Sequence, residues 1–563
     1  MKIKSIIIFS LALLLSWACT DLDLNPLSEG SSETWYSNQT EIEMSVNDLF
    51  RAVFWPRDNN EWTDDFTRRE LLTPITAGTI TGEWGTVNSV WSNTYKSIVR
   101  ANLVLSNISR VEGELPQAII DKYAGNAHFA RAAKYAKLIS LFGDVVYFTE
   151  DLDLDEAFTM SRTGKEIVLQ AIYDDYDAAI AKLPLSYGSS ENHYATKGAA
   201  LAMKARIALF MNDWEVARDA AKACIDLGEY ELHPDFRTLF LTQTRNPNEV
   251  LFSIPRSREL GSVWGTRNHT SRLAGGWGGA EAPSWDLMSA FLCTDGLPID
   301  ESPLYNPREP FENRDPRLAE TIVEFNTPHL GFIYQPHPDS LQVLNVNTGM
   351  YVTNNDTRSN AAFASFNGLL WRKGVDEDWL INHQADNDII IMRYADVLLM
   401  YAEAKIELGE IDQSVHDAIN KVRARAYGVD FTSTGDYPAV TTTNQSELRT
   451  ILRMERRMEL AYEGRRYKDL IRWRVAEKAL NTGIYGMLDV ADLRERVIEP
   501  GLWFFPGVPS IDENGIPDLS PMYEAGLVRR LAQRRFEAPK QYLWPLPTTD
   551  IMINENLVQN PGY

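Results

Sequence analysis

The stretch TKGAALAMKARIALFMNDWEVARDAAKACIDLG, residues 196–228, decides the fold. Small residues recur at helical spacing on both sides of a turn at Asn212-Asp213. They are Ala199, Ala202, Ala205 and Ala208 before the turn and Ala217, Ala220 and Ala221 after it. Because small side chains let two helix backbones approach closely, the pattern predicts a helix–turn–helix unit packed through its alanines.

Two similar units lie on either side of this stretch. One combines a helical pattern over residues 91–105 with a second over residues 127–141, and the other combines residues 393–408 with residues 413–426. Units of roughly 34 residues with alanines at the helix crossing are typical of tetratricopeptide repeats. Residues 231–392 and 481–563 instead have little helical period and are rich in Gly, Pro, Asn, Trp and Thr. The sequence therefore predicts a mostly α protein, a tetratricopeptide-like helix-pair scaffold with long irregular loop insertions.

Composition and charge restrict the partners. The chain has 563 residues, of which 44% are hydrophobic, so it can bury a large core. Its 55 basic and 78 acidic residues give a net charge of −23, which repels phosphate backbones. We therefore predict no nucleic-acid partner. The chain has 15 tryptophans, and tryptophan is a costly residue to place where neither the core nor a partner uses it, so some rings should face a ligand.

The N-terminus has the pattern of a targeting segment. Lys2 and Lys4 precede an apolar run from Ile6 to Leu15, which is too short for a bilayer span of about 20 residues. Ala18-Cys19 follows and resembles the bacterial lipoprotein box, in which the cysteine is acylated; an ordinary cleaved secretory signal is the alternative. We predict a lipoprotein signal peptide at 1–18, lipid attachment at Cys19 and a lipidated tether at 19–30. We predict that residues 31–563 form a single domain, with a loop-rich insertion at about 231–392.

Several further segments resemble the SusD/RagB family of outer-membrane nutrient-binding lipoproteins of Bacteroidota. They follow the family's order through most of the chain: WSNTYKSIVRAN at 91–102, GNAHFARAAKYAKL at 125–138, PSWDLMSAF at 283–291, NRDPRL at 313–318, RYADVLLMYAEAKIELGE at 393–410, ERRMELAYEGRRYKDLIRW at 455–473 and NPGY at 560–563. The resemblance implies a lipid-anchored, cell-surface protein of the outer membrane. It also implies a non-catalytic protein that captures oligosaccharides and delivers them to a SusC-like TonB-dependent transporter. A peptide-capturing lid or a structural partner of the same kind of transporter is the alternative.

We expect the ligand residues to lie in loops. There, flat aromatic rings can pack against the C–H faces of a sugar, and neighbouring polar groups can bond to its hydroxyls. Four glycines flank Trp277 in AGGWGGA and can hold its ring away from the scaffold; a phosphate cradle is the competing interpretation, although no Lys-Ser/Thr follows. The remaining candidate ligand residues are Trp62, Asp64, Asp65, Trp84, Cys293, Trp371 and Arg372. For each tryptophan, core packing is the alternative to ligand contact. The Arg–Glu density of residues 455–473 is interpreted as helix-surface ion pairs and interhelix anchoring.

Nothing in the sequence indicates catalysis, a cofactor or a metal. The 78 carboxylates always allow a glycosidase pair, but HExxH and GxSxG motifs are missing from the sequence. Asp151, Asp153 and Asp155 begin like a calcium loop, yet Arg162 stands where that loop needs Glu. We therefore expect a solvated acidic loop there, no cofactor and no enzymatic activity.

Overall fold

The computed structural model describes residues 35–563. The predicted signal peptide at 1–18, the lipid attachment site Cys19 and the tether at 19–30 lie outside the described residues. These three assignments, and the single-domain boundaries, stay predictions.

Ten α-helices of seven residues or more lie within the described residues and are labelled α1–α10. In chain order they span Gln39–Leu49, Gly85–Asn107, Gln117–Phe142, Lys165–Lys182, Lys197–Phe210, Trp214–Asp226, Tyr394–Leu408, Gln413–Ala426, Gln445–Glu459 and Arg466–Arg472. Shorter helices span Leu154–Ala157, Trp285–Ala290, Arg317–Thr321, Ala476–Ala479, Val490–Leu493, Ser520–Glu524 and Thr548–Ile553. From residue 35 onward, no helix combines the length and apolar character needed to cross a membrane.

The helix pair predicted at residues 196–228 is present as α5 and α6. The hydroxyl of Thr196 accepts a hydrogen bond of 3.1 Å from the main-chain N–H of Ala199, and Asp213 caps α6 in the same way. Between the helices Asn212 adopts a φ of 61°, a left-handed conformation that asparagine tolerates. All seven alanines of the pattern are buried. Close packing through small side chains is confirmed.

The long helices pack on one another in chain order. Helix α3 packs on α2 and α4, α5 packs on α4 and α6, and α7 packs on α6, α8 and α9. The predicted pairs α2/α3 and α7/α8 are therefore also confirmed. Helix α7 ends at Gly409, whose φ of 73° forms a left-handed C-cap.

The loop-rich parts of the chain form short strands rather than one large sheet. The described residues contain strands β1–β14, which span Phe66–Thr67, Val250–Ile254, Trp264–Gly265, Ala282–Pro283, Pro328–His329, Phe332–Ile333, Gln342–Asn345, Met350–Thr353, Gln384–Ala385, Ile389–Arg393, Gly483–Gly486, Ser510–Ile511, Pro517–Asp518 and Arg529–Gln533. Strands β5–β8 form one antiparallel sheet, and the others pair two by two. Beneath them lies a second apolar cluster around Trp285, Phe504 and Met458, separate from the core between the helices. This second core supports the loops.

The prediction of surface ion pairs in residues 455–473 is wrong, because these charges are buried. Glu459, on α9, has no exposed surface and contacts Arg317, Arg393 and Arg425 at 3.0, 2.6 and 2.5 Å. Arg317 comes from NRDPRL, and Arg393 lies at the end of β10. The interhelix anchoring that was also predicted is confirmed, because the cluster ties α8 and α9 to β10 and the NRDPRL segment.

Candidate functional site

Trp277 is the only tryptophan of residues 35–563 with an exposed side chain, at 51% of its full accessibility. Its loop is folded tightly on itself: the main-chain N–H of Trp277 donates to the carbonyl of Arg267 at 2.8 Å, and that of Gly276 donates to Ser271 at 2.8 Å. A Cβ atom on Gly276 would lie 2.1 Å from the hydroxyl oxygen of Thr270, so only glycine fits there. The glycines thus allow a compact loop that presents the indole outward.

Arg69 joins the Trp277 loop to a second loop. Its Nη2 donates hydrogen bonds to the main-chain carbonyls of Trp277 at 2.8 Å and Phe363 at 3.0 Å. The Phe363 ring is 60% exposed and lies 5.3 Å from the guanidinium carbon of Arg69. Arg69 itself has a φ of 51° in a turn closed by the hydrogen bond from Leu71 N to Arg68 O at 2.9 Å. A strained residue held by its surroundings is common at functional sites.

Three arginines form cation–π contacts with the ring of Phe366. The guanidinium carbons of Arg69, Arg358 and Arg529 lie 5.7, 4.9 and 5.9 Å from its centroid. Asp489 accepts hydrogen bonds from Arg358 at 2.8 Å and Arg529 at 3.0 Å. Cation–π contacts and these ion pairs hold the guanidinium groups beside the half-buried ring of Phe366.

Asp356 anchors the two loops to each other from below. Its carboxylate is buried and accepts a hydrogen bond of 2.7 Å from the main-chain N–H of Arg272. Burial raises the pKa of Asp356 to about 6, although hydrogen bonds from Arg272, Ser271 and Leu273 oppose the shift.

These side chains form a single patch, here named the aromatic–arginine surface. Its members are Arg69, Trp277, Arg358, Phe363, Phe366 and Arg529. Arg69 has no carboxylate partner in the described part of the chain, and its Nε has no hydrogen-bond partner there. Burial, and next the nearby charge of Arg272, lower the pKa of Arg69. The patch therefore offers flat apolar faces beside an uncompensated, planar hydrogen-bond donor.

Two other predicted ligand tryptophans lie in the helical core. Trp62 is 6% exposed, and Trp84 is half-buried at the start of α2. Their ring centroids lie 5.0 and 5.7 Å from that of Trp544, which is itself buried and donates to Tyr467 at 2.8 Å. Core packing accounts for both rings, so the site proposed below does not include them.

Asp64 and Asp65 are buried beneath the surface rather than on it. Asp64 accepts hydrogen bonds from Arg457 at 3.0 Å and Arg466 at 2.7 Å, and Asp65 accepts one from Arg457 at 2.8 Å. Burial opposes ionisation of Asp64, but Arg457 and Arg466 outweigh it and hold the pKa of that carboxyl well below its usual range. Both carboxylates are saturated with donors, so we leave them out of the proposed site.

The last three predicted residues are held by other contacts. Cys293 has no exposed surface, and burial raises the pKa of its thiol. Trp371 is 8% exposed and stacks on Tyr462 at 4.1 Å. Arg372 lies 3.6 Å from Glu320. The structure brings none of the three to the aromatic–arginine surface.

Sequence reasoning missed Arg69, Phe363 and Phe366. A signal for the phenylalanines exists in AAFASFNG at 361–368, where two aromatic residues three apart lie in a segment without helical period. No local signal marks Arg69, because its role depends on contact with a carbonyl 208 residues away.

Comparison with known proteins supports the family assignment. The model of the SusD family matches residues 248–563, and a family described as "Starch-binding associating with outer membrane" matches residues 32–209. The chain is 25% identical to the SusD-like protein P2 of Formosa agariphila, with 99% of each chain covered.

Solved structures share the whole fold. A SusD-like carbohydrate binding protein from Bacteroides fragilis superposes with a TM-score of 0.75 at 26% identity, covering 93% of this chain and 99% of that one. A laminarin binding SusD-like protein superposes with a TM-score of 0.64 at 18% identity, covering 94% and 100%. At the lower identity the likeness concerns the fold alone. Since the SusD family model matches more than half of its length, this chain belongs to the SusD family.

Proposed function

We propose that this protein is a non-catalytic, cell-surface lipoprotein that captures an oligosaccharide on the aromatic–arginine surface. The observation that carries the proposal is that Arg69 links the backbones of the two loops that carry the exposed rings of Trp277 and Phe363. In the further step of the proposal, the protein delivers the oligosaccharide to a SusC-like TonB-dependent transporter of the outer membrane.

The chemistry of the surface suits a sugar. An aromatic face packs against the C–H groups of a pyranose ring, while planar donors bond to its hydroxyls. Trp277 and Phe363 supply the exposed faces, and the half-buried guanidinium of Arg69 lies 5.3 Å from the Phe363 ring. An arginine of fixed orientation loses little entropy when it donates a further hydrogen bond.

The relatives support the same ligand class. One solved structure of the same fold carries the name carbohydrate binding protein, and another the name laminarin binding protein. The family description names starch binding and the outer membrane. The predicted acylation of Cys19 would keep the protein at that membrane by a lipid anchor.

The test is affinity electrophoresis of the full chain carrying Cys19→Ser, so that no lipid is attached to that position. A panel of plant, fungal, bacterial and host polysaccharides should include one class that retards migration, and Trp277→Ala should abolish that retardation. Calorimetry with the matching oligosaccharide should show one site, and chromatography of the mixture should show no released product.

Contrary outcomes distinguish the alternatives. If no polysaccharide or oligosaccharide binds, and peptides co-purify with the protein from the native membrane, then a peptide-capturing lid replaces the glycan proposal. Release of shorter sugars would instead indicate hydrolysis. The transporter step is tested separately, because the lipidated protein should co-purify with a large outer-membrane transporter.

A further inference from the structure

A second site lies inside the helical scaffold, in a cavity of about 160 Å³. It is bounded by α3, α5 and α10 and by residues 54–58. Pro56 at its rim is exposed, so the cavity reaches the surface. A water molecule needs only about 10–15 Å³ of such volume, so the cavity has room for a small polyatomic ion.

The lining is strongly basic in a protein whose net charge is −23. It includes eight arginine and lysine side chains but only two carboxylates, those of Asp58 and Asp469. An excess of like charges in one concave surface raises the local concentration of counter-ions. The cavity is therefore positively charged, whereas the molecule as a whole is negatively charged.

Some of these cations are neutralised by carboxylates. Arg206 and Arg456 lie 2.8 and 3.0 Å from Asp396, and Arg472 lies 2.8 Å from Asp469. These ion pairs hold three of the eight cations in place.

Four other cations form no ion pair within residues 35–563: Arg57, Lys134, Lys137 and Lys468. Lys134 is 2% exposed, donates to the carbonyl of Phe54 at 2.8 Å and lies 3.2 Å from the centroid of Trp55. Lys468 donates to the hydroxyl of Ser140 at 2.8 Å. Burying cations beside neutral acceptors alone is costly, because their charge stays uncompensated.

Two further polar atoms of the lining lack a partner. The hydroxyl of Tyr176, a side chain with no exposed surface, and the Nε of Arg206 form no hydrogen bond within the described residues. Buried polar groups normally have hydrogen-bond partners, so these two atoms indicate that a ligand can bind in the cavity. Both can bond to an oxygen-rich ligand.

Burial is the largest cause that lowers the pKa of two of these lysines. Burial lowers the pKa of Lys468 to about 8, and the nearby charge of Lys137 lowers it further, whereas Asp58 opposes the shift. Burial and Lys137 likewise lower the pKa of Lys134. An anion between them would stabilise the protonated lysines and so be taken up together with protons.

We propose that this cavity binds a tetrahedral oxyanion of the sulfate or phosphate class, either as the free ion or as the ester group of a saccharide. Lys134, Lys137, Lys468 and Arg57 supply the charge, and Tyr176 supplies a neutral donor. Hydrogen bonds from cations to such oxygens are among the strong ones. The cavity shares no residue with the aromatic–arginine surface, so the proposal stands independently of glycan binding there.

The test is isothermal titration calorimetry of the full chain carrying Cys19→Ser with sodium sulfate and, separately, sodium phosphate, in chloride buffer of matched ionic strength. We expect one saturable site. At pH 8, near the pKa of Lys468, the heat should differ between buffers of different ionisation enthalpy, because binding takes up protons. The variant Lys137→Gln with Lys468→Gln should bind at least about tenfold more weakly, since it loses two charged donors.

A matched control removes the same charge elsewhere. Lys96 and Lys222 are exposed on α2 and α6 and do not line the cavity. Lys96→Gln with Lys222→Gln should leave the affinity for sulfate and phosphate unchanged. Absence of saturable heat from both anions with the unaltered protein would overturn the proposal. Equal affinities of the lining and control variants, both folded by circular dichroism, would also overturn it.

A competition experiment distinguishes a free anion from the ester group of a saccharide. A sulfated monosaccharide that displaces free sulfate, while its neutral parent does not, indicates an ester group. Sulfate binding without such displacement indicates the free ion. Either result supports the oxyanion site.

Discussion

Arg69 donates a hydrogen bond of 2.8 Å to the main-chain carbonyl of Trp277, 208 residues later in the chain. The same nitrogen donates to the carbonyl of Phe363 at 3.0 Å. One guanidinium therefore links the backbones of the two loops that carry the exposed rings. Because both acceptors are main-chain atoms, the link constrains the loops whatever side chains they carry.

The first prediction concerns the exposed indole. Trp277→Ala should weaken oligosaccharide binding by about 2 kcal/mol, roughly thirtyfold in Kd, because truncating an aromatic anchor at the centre of a contact removes most of its energy. Calorimetry with the oligosaccharide that the panel identifies measures this. Phe158→Ala is the control, since Phe158 is exposed by 48% but lines a different groove. Equal losses in both variants would argue against Trp277 as a ligand contact.

The second prediction concerns the link between the loops. Arg69→Lys should loosen both loops, because the flexible lysine side chain does not hold its donor in the fixed orientation from which Nη2 of Arg69 reaches the carbonyls of Trp277 and Phe363. Each charged hydrogen bond lost should cost about 1.5–3 kcal/mol locally. Hydrogen exchange measured by mass spectrometry should be faster in peptides covering residues 267–280 and 357–366 and unchanged elsewhere.

Arg68 provides the control for this substitution. Its side chain is 48% exposed and lies 3.6 Å from Glu61 and from Glu281. Arg68→Lys should leave exchange in both loops as in the unaltered protein. If Arg69→Lys does the same, the carbonyl contacts do not hold the loops.

The third prediction concerns the buried ion cluster. Burial alone would raise the pKa of Glu459, but Arg425, Arg393 and Arg317 outweigh burial and hold it well below its usual range. Glu459→Gln should lower the free energy of unfolding by about 3–5 kcal/mol, because it leaves buried guanidinium groups without their counter-ion. Urea unfolding followed by circular dichroism measures the loss. Glu166→Gln, at a side chain exposed by 75%, should unfold like the unaltered protein.

The fourth prediction concerns pH. Because the pKa of Asp356 is raised to about 6 in the folded protein, the folded state binds the proton more tightly than the unfolded state, whose Asp pKa is about 3.9. The resulting stabilisation is fully present below about pH 4 and is lost as pH rises through about 6. Asp356→Asn lacks this titration. We therefore subtract the free energy of unfolding of the unaltered protein from that of Asp356→Asn. This difference should increase between pH 4 and 6, by about 1.4 kcal/mol for each unit of pKa shift. A difference that stays constant over that range would contradict the assignment.

The helical scaffold was predictable from the sequence because its signals are local. The alanines around Asn212 fix the contact of α5 and α6, and Gly409 ends α7 where the pattern ends. Cys224 is buried among these helices, as its place in a helical pattern indicates. Helix periodicity carries this information within about fifteen residues.

The candidate site was predictable only in part. The glycines beside Trp277 indicate an exposed ring, and the structure agrees. For Trp62 and Trp84 the same reasoning could not separate ligand contact from packing, because Trp544, which contacts both, lies more than 400 residues away. Asp64 and Asp65 read as exposed loop acids, since the sequence does not reveal that Arg457 and Arg466 lie against them. Long-range pairing decides each of these positions.

The burial of Asp64 also bears on how the protein can be redesigned. Asp64 and Arg69 belong to one short segment, whose first residues are held by Arg457 and Arg466 and whose last residue holds the carbonyls of Trp277 and Phe363. The loops that carry the rings are thus held mainly by main-chain acceptors and buried charges, and the cation–π contact of Phe363 with Arg69 depends on the ring itself. Exchanging Trp277 or Phe363 for other residues should retarget the protein to new ligands while the frame beneath keeps its shape, so the loops can serve as a modular platform for engineered recognition.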